Sequence, residues 1–82
     1  MEEITPEELD AMEARASAAT AGPWVSFVEG RDHESGSSFI RTSGPDIELF
    51  GATDADQDFV ANSRQDLPKL IAEIKRLRGW RP

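Results

Sequence analysis

Asp54, Asp56 and Asp58 alternate along the chain as the first ligands of a calcium loop do, so oxygen coordination of a hard cation is the first chemistry to test. The spacing fails the test. Counting from Asp54, such a loop needs Gly at its sixth position and Glu at its twelfth, and here those positions hold Phe59 and Gln65. The three acids fit better as decoration of a helix start, where carboxylates are stabilised by the positive end of the dipole. His33, the one histidine, sits between Asp32 and Glu34 in a polar stretch bounded by glycines. No nucleophile stands with it to make a catalytic pair, so its default reading is an exposed loop residue. None of the seven serines lies in a Gly-x-Ser-x-Gly elbow, and no phosphate loop is present. No catalytic residue, metal ligand set or cofactor site is identified, and the chain reads as a non-enzyme.

Binding chemistry is better represented. Arg31, Arg41 and Arg64 are far apart in sequence but able to converge on an anion once folded, with a helix N-terminus to assist. The alternative is that each pairs with one of the surplus carboxylates. Trp24 follows Gly22-Pro23 at the start of a β-like stretch, which suits core packing, whereas Trp80 lies in a tail and suits a partner interface. These five residues are the candidate binding set.

The whole chain bounds what they can serve. It has 82 residues, 16 acids against 9 bases, a net charge of −7, 38% hydrophobic residues and no Cys. Disulfides, thiolate zinc sites and thiol nucleophiles are therefore excluded. No apolar run approaches the roughly 18–20 residues of a membrane span, and no export leader is evident, which predicts a cytoplasmic protein without membrane contact. The acidic balance argues against direct nucleic-acid binding. A domain this small buries only about 60–65% of its unfolded surface, and the thin core favours a small homo-oligomer over a monomer. Charge is uneven: −6 over residues 1–13, −5 over 14–63 and +4 over 64–82. First and last segments are complementary and should pack together, within one chain or between two.

The elements that would position these side chains give an α+β domain. Thr5, Pro6 and Glu8 form an N-terminal capping signature with Ile4 and Leu9 as a staple, opening a helix over about 5–21 that Gly22-Pro23 ends. Leu9, Met12, Ala16 and Ala19 make its narrow apolar stripe. Three strands follow, over about 24–29, 38–42 and 46–50, joined as an antiparallel meander because the connections are short. Thr53 or Asp54 caps a helix over about 54–65, and Pro68 breaks it from a second over about 66–78 that Gly79 ends. Leu67, Leu70, Ile74 and Leu77 form a stripe of heptad spacing. It is too short for a free coiled coil, so it reads chiefly as packing on the sheet, with a dimer seam as the alternative.

Two blocks also resemble known sequences. Ala18-Ala19-Thr20-Ala21-Gly22-Pro23-Trp24 resembles the Ala-Thr-Pro-Gly-Pro-Trp segment of small phage, prophage and actinobacterial mobile-element proteins, with Ala21 in place of the usual Pro. Asp56 to Pro68, continuing to Leu77, resembles the C-terminal block that accompanies that segment. The resemblance implies a phage or mobile-element origin, not an activity. With the physical reading it gives the expectation of a phage accessory protein that binds a host protein, such as a defence or regulatory component, in the host cytoplasm. Sequestering a small anionic, nucleotide-like ligand, or a structural and assembly role, are the alternatives.

Overall fold

The computed structural model describes residues 3–34 and 36–79. Helix α1 (Pro6–Ala18), strand β1 (Val25–Phe27), strand β2 (Phe39–Arg41) and helix α2 (Asp54–Leu77) follow in that order. The class is α+β, but the expected three strands and two C-terminal helices are not what forms.

Both helix starts are set locally. The Thr5 hydroxyl accepts from the Glu8 N–H at 3.1 Å while a Glu8 carboxylate oxygen accepts from the Thr5 N–H at 3.0 Å. Thr53 and Asp56 repeat the same reciprocal box at 3.0 and 3.1 Å, so Thr53, not Asp54, is the cap. The Thr5 contacts lower the Glu8 carboxyl from its usual range.

α1 stops at Ala18, earlier than the expected residue 21. Tertiary partners claim the next carbonyls: Thr20 C=O accepts from the Trp24 indole and from Arg64, and Ala21 C=O from Ser43 N–H. The Gly22–Pro23 peptide bond is cis, and Gly22 does not serve as a left-handed cap, since its φ is not positive. Its smallness matters in another way, because a Cβ there would stand 3.3 Å from the Gln65 side-chain oxygen.

β1 and β2 pair antiparallel, with Val25 opposite Arg41, Ser26 opposite Ile40 and Phe27 opposite Phe39. The third strand is reduced to one bridge: Ile47 exchanges both backbone hydrogen bonds with Ile40, at 2.8 and 2.9 Å. Pro45 cannot donate, and beyond Ile47 the chain turns towards the α2 cap, with Ala52 N–H reaching Leu49 C=O and Gly51 at φ +79°. A ladder has no room to extend.

α2 runs unbroken for 24 residues, with Pro68 inside it. An interior proline removes the hydrogen bond to the carbonyl four residues back and costs about 3 kcal/mol in an isolated helix. Here the helix is held on both sides of that point. Its first half lies on the sheet through Gln57, Ala61 and Gln65, and its second half lies antiparallel to α1. Lys75 Nζ is 2.8 Å from Glu13 and 3.7 Å from Asp10, and the Arg78 guanidinium donates to Ile4 C=O at 2.7 Å. The charge complementarity of the two ends is thus met within one chain, and the Glu13 contact raises the Lys75 ammonium above its usual range. Gly79, at φ +67°, follows the helix end.

The buried core is small: Leu9, Val28, Ile40, Ala61 and Ile71, with Gln57 as a buried polar member. The described body measures 47 × 28 × 18 Å, and its radius of gyration is 15.5 Å, against about 12 Å for a compact chain of this length. α2 is the spine of an elongated molecule. No helix among the described residues is long and apolar enough to cross a membrane.

Candidate functional site

Gln57 and Gln65, eight residues apart on α2, stitch it to the sheet. The Gln57 amide nitrogen lies 2.9 Å from Ser26 Oγ, 3.1 Å from Phe39 C=O and 3.3 Å from Phe27 C=O, so one buried group ties both strands to the helix. The Gln65 side chain accepts from Trp24 N–H at 2.6 Å and donates to Trp24 C=O at 3.1 Å, pairing with that backbone as a neighbouring strand would. Neither glutamine was singled out as a structural link from sequence. Their signal was the spacing Gln57, Ala61, Gln65 on one helical face, which is too polar to register as an apolar stripe.

This stitching fixes Trp24 at the end of a groove between α1 and α2. Trp24 is half-buried, and its indole N–H donates to Thr20 C=O at 2.9 Å, where Arg64 Nε also donates at 3.0 Å. The structure therefore brings Trp24 and Arg64 to a shared acceptor. The groove has a volume of about 300 Å³; Met12, Ala16 and Ala19 form its α1 wall and Val60, Leu67 and Ile71 its α2 wall. Arg15 and Arg64 supply its charge, both cationic. The narrow stripe of α1 explains the opening: Leu9 is fully buried, whereas Met12, Ala16 and Ala19 remain half-exposed, and the two alanines are too short to fill the gap.

Arg31 lies elsewhere. Its guanidinium meets Asp58 through two hydrogen bonds of 2.9 and 3.0 Å and also contacts Asp32 at 2.9 Å, tying the loop after β1 to α2. The bidentate Arg31 contact, with the Ser26 hydroxyl second, holds the Asp58 carboxyl down at about 2. Arg31 itself is raised, and Asp32 lowered by Arg31 first and by the Val28 N–H second. An anion approaching Arg31 has to displace two carboxylates. Arg41 takes a third position, its guanidinium carbon 4.7 Å from the centre of the Phe27 ring. Phe27 stacks on Phe39 at 5.2 Å, and His33 lies against Phe39 at 5.3 Å. His33 is half-buried, not the exposed loop residue expected, because this aromatic column covers it. Each arginine thus has a different set of neighbours. Trp80 lies outside the described residues.

Asp54 and Asp56 stand in the first turn of α2, where the dipole explains them. Among the described residues no group of three or more His, Asp or Glu is placed to hold a metal ion. Set against protein-family models, curated proteins and solved structures, the chain matches none.

Proposed function

We propose that this is a non-enzymatic accessory protein of a phage or mobile element, acting in the host cytoplasm by docking to a host protein and inhibiting a defence or regulatory component. The observation that carries the docking reading is the groove between α1 and α2, which is apolar along both walls and ends at Trp24. Aromatic anchors in apolar recesses are where binding energy concentrates at protein interfaces. The cationic rim of Arg15 and Arg64 suits a partner segment that is apolar with flanking carboxylates. The origin rests on the resemblance of the Ala18–Trp24 and Asp56–Leu77 blocks. Sequestration of a nucleotide-like anion has less support, because Arg31 is already neutralised by Asp32 and Asp58.

The test uses the full chain as bait in a bacterial host lysate, followed by titration of the captured protein after its purification. Ala19→Trp, which fills the groove beside Trp24, is expected to weaken binding by at least about tenfold. An unchanged affinity would remove the groove from the interface. A copurifying nucleotide found by mass spectrometry, in place of a protein, would favour the sequestering alternative.

A further inference from the structure

α2 carries a second stripe that its own chain covers only in part, Val60, Ser63 and Leu67 also lining the groove beside α1. Val60, Leu67 and Ile74 recur every seven residues, and Ser63, Leu70 and Leu77 follow each of them by three, the pattern of a coiled-coil seam. The structure turns the leucines of this stripe to solvent, with Leu67 50% exposed, Leu70 57% and Leu77 68%, while Val60, Ser63 and Ile74 are half-buried. The expected packing of Leu67, Leu70 and Leu77 on the sheet does not occur, because Gln57, Ala61 and Gln65 face the sheet instead.

The residues flanking the stripe identify its occupant. One flank carries Arg64, Ile71 and Arg78, the other Phe59, Asp66 and Glu73. In a parallel, in-register pair the second flank of one helix faces the first flank of its copy five residues further on. Glu73 then meets Arg78 of the second copy, and Phe59, 73% exposed, meets Arg64, which keeps its Nε on Thr20 C=O. Asp66 falls opposite Ile71, which is buried and adds nothing. An antiparallel pair sets Asp66 against an acid and Arg64 against Arg78, which repels. Arg76 already holds Glu73, and Arg78 spends one N–H on Ile4 C=O, but a guanidinium has five donors. The seam is under three heptads long, which would be too short for a free peptide, but α1 and the sheet already hold α2 helical.

We infer that two copies of this chain associate through α2, parallel and in register, along Val60, Ser63, Leu67, Leu70, Ile74 and Leu77. The second helix adds a third wall beside the groove, so the inference deepens the docking reading while resting on α2 alone for its own test. The chain has no Cys, which makes cross-linking clean. Ser63→Cys is nearly isosteric, and a parallel register sets it against itself, so mild oxidation is expected to give a disulfide-linked dimer. Leu77→Cys should self-link in the same way. Sedimentation over about a hundredfold concentration range should show a dimer for the natural chain and a monomer for Leu70→Asp, with an unchanged helical signal. A natural chain that stays monomeric, a dimer unaffected by Leu70→Asp, or linkage of Ser63→Cys only to Ile74→Cys would each overturn the inference. Leu77→Asp lies outside the groove lining and should abolish the dimer while host binding persists, so loss of the dimer and loss of host binding are separable.

Discussion

The two faces of α2 differ in a way opposite to the usual arrangement, in which a helix turns its most apolar side inward. The inward face presents Gln57, Ala61, Gln65, Ile71 and Lys75, and it is held largely by hydrogen bonds and an ion pair. The outward face presents Leu67, Leu70 and Leu77 to water. A sheet of two three-residue strands offers little apolar surface to a helix, but many backbone carbonyls and N–H groups that side-chain amides can satisfy. Polar stitching therefore attaches α2 to the sheet and leaves its aliphatic face available for another chain.

Neighbouring residues break or sharpen this contrast most directly. Ile71→Ala removes a buried side chain and should cost about 3 kcal/mol, whereas Leu70→Ala beside it should cost under about 0.5 kcal/mol in dilute solution, both by urea denaturation. Equal losses would show that the outward face is packed after all. Gln57→Ala removes the buried amide that ties Ser26, Phe27 and Phe39 to α2 and should cost about 2 kcal/mol by the same measurement. A near-zero cost would mean that the amide links are replaceable by water. Thr53→Ala removes one half of the α2 capping box and should cost about 1 kcal/mol.

The smallest effect is a pH dependence. Asp58 titrates near 2 in the folded chain against an ordinary 3.8, so its contribution to stability is fully present above about pH 4 and disappears as the pH falls through about 2. Carbon NMR of the Asp58 carboxyl should give that midpoint, and Arg31→Gln should return it towards the ordinary value. A midpoint unmoved by Arg31→Gln would place the cause elsewhere.

Local chemistry was legible. The Thr5–Glu8 and Thr53–Asp56 boxes, the stop at Gly79 and the first two strands all follow from nearest neighbours in the chain. The third strand was not legible, because Ile47–Phe50 has strand-like residues but only Ile47 finds a partner before the chain turns to the α2 cap. The break at Pro68 was not legible either, since local cost alone favours it and only contacts on both sides of the residue oppose it. Of the candidate site, the α1 stripe of Met12, Ala16 and Ala19 was visible, but not that it would border a groove. That outcome depends on where Gln65 anchors Trp24.

By itself the sequence determined where α1 and α2 begin, that the segments of β1 and β2 extend, and that acidic and basic ends attract, because each of these is decided within one turn or by net charge. Only the tertiary structure decided which face of α2 looks inward, because a periodic pattern fixes the spacing of an apolar stripe but not its direction. The direction was set by two glutamine side chains whose hydrogen bonds to the strands no hydrophobic count registers.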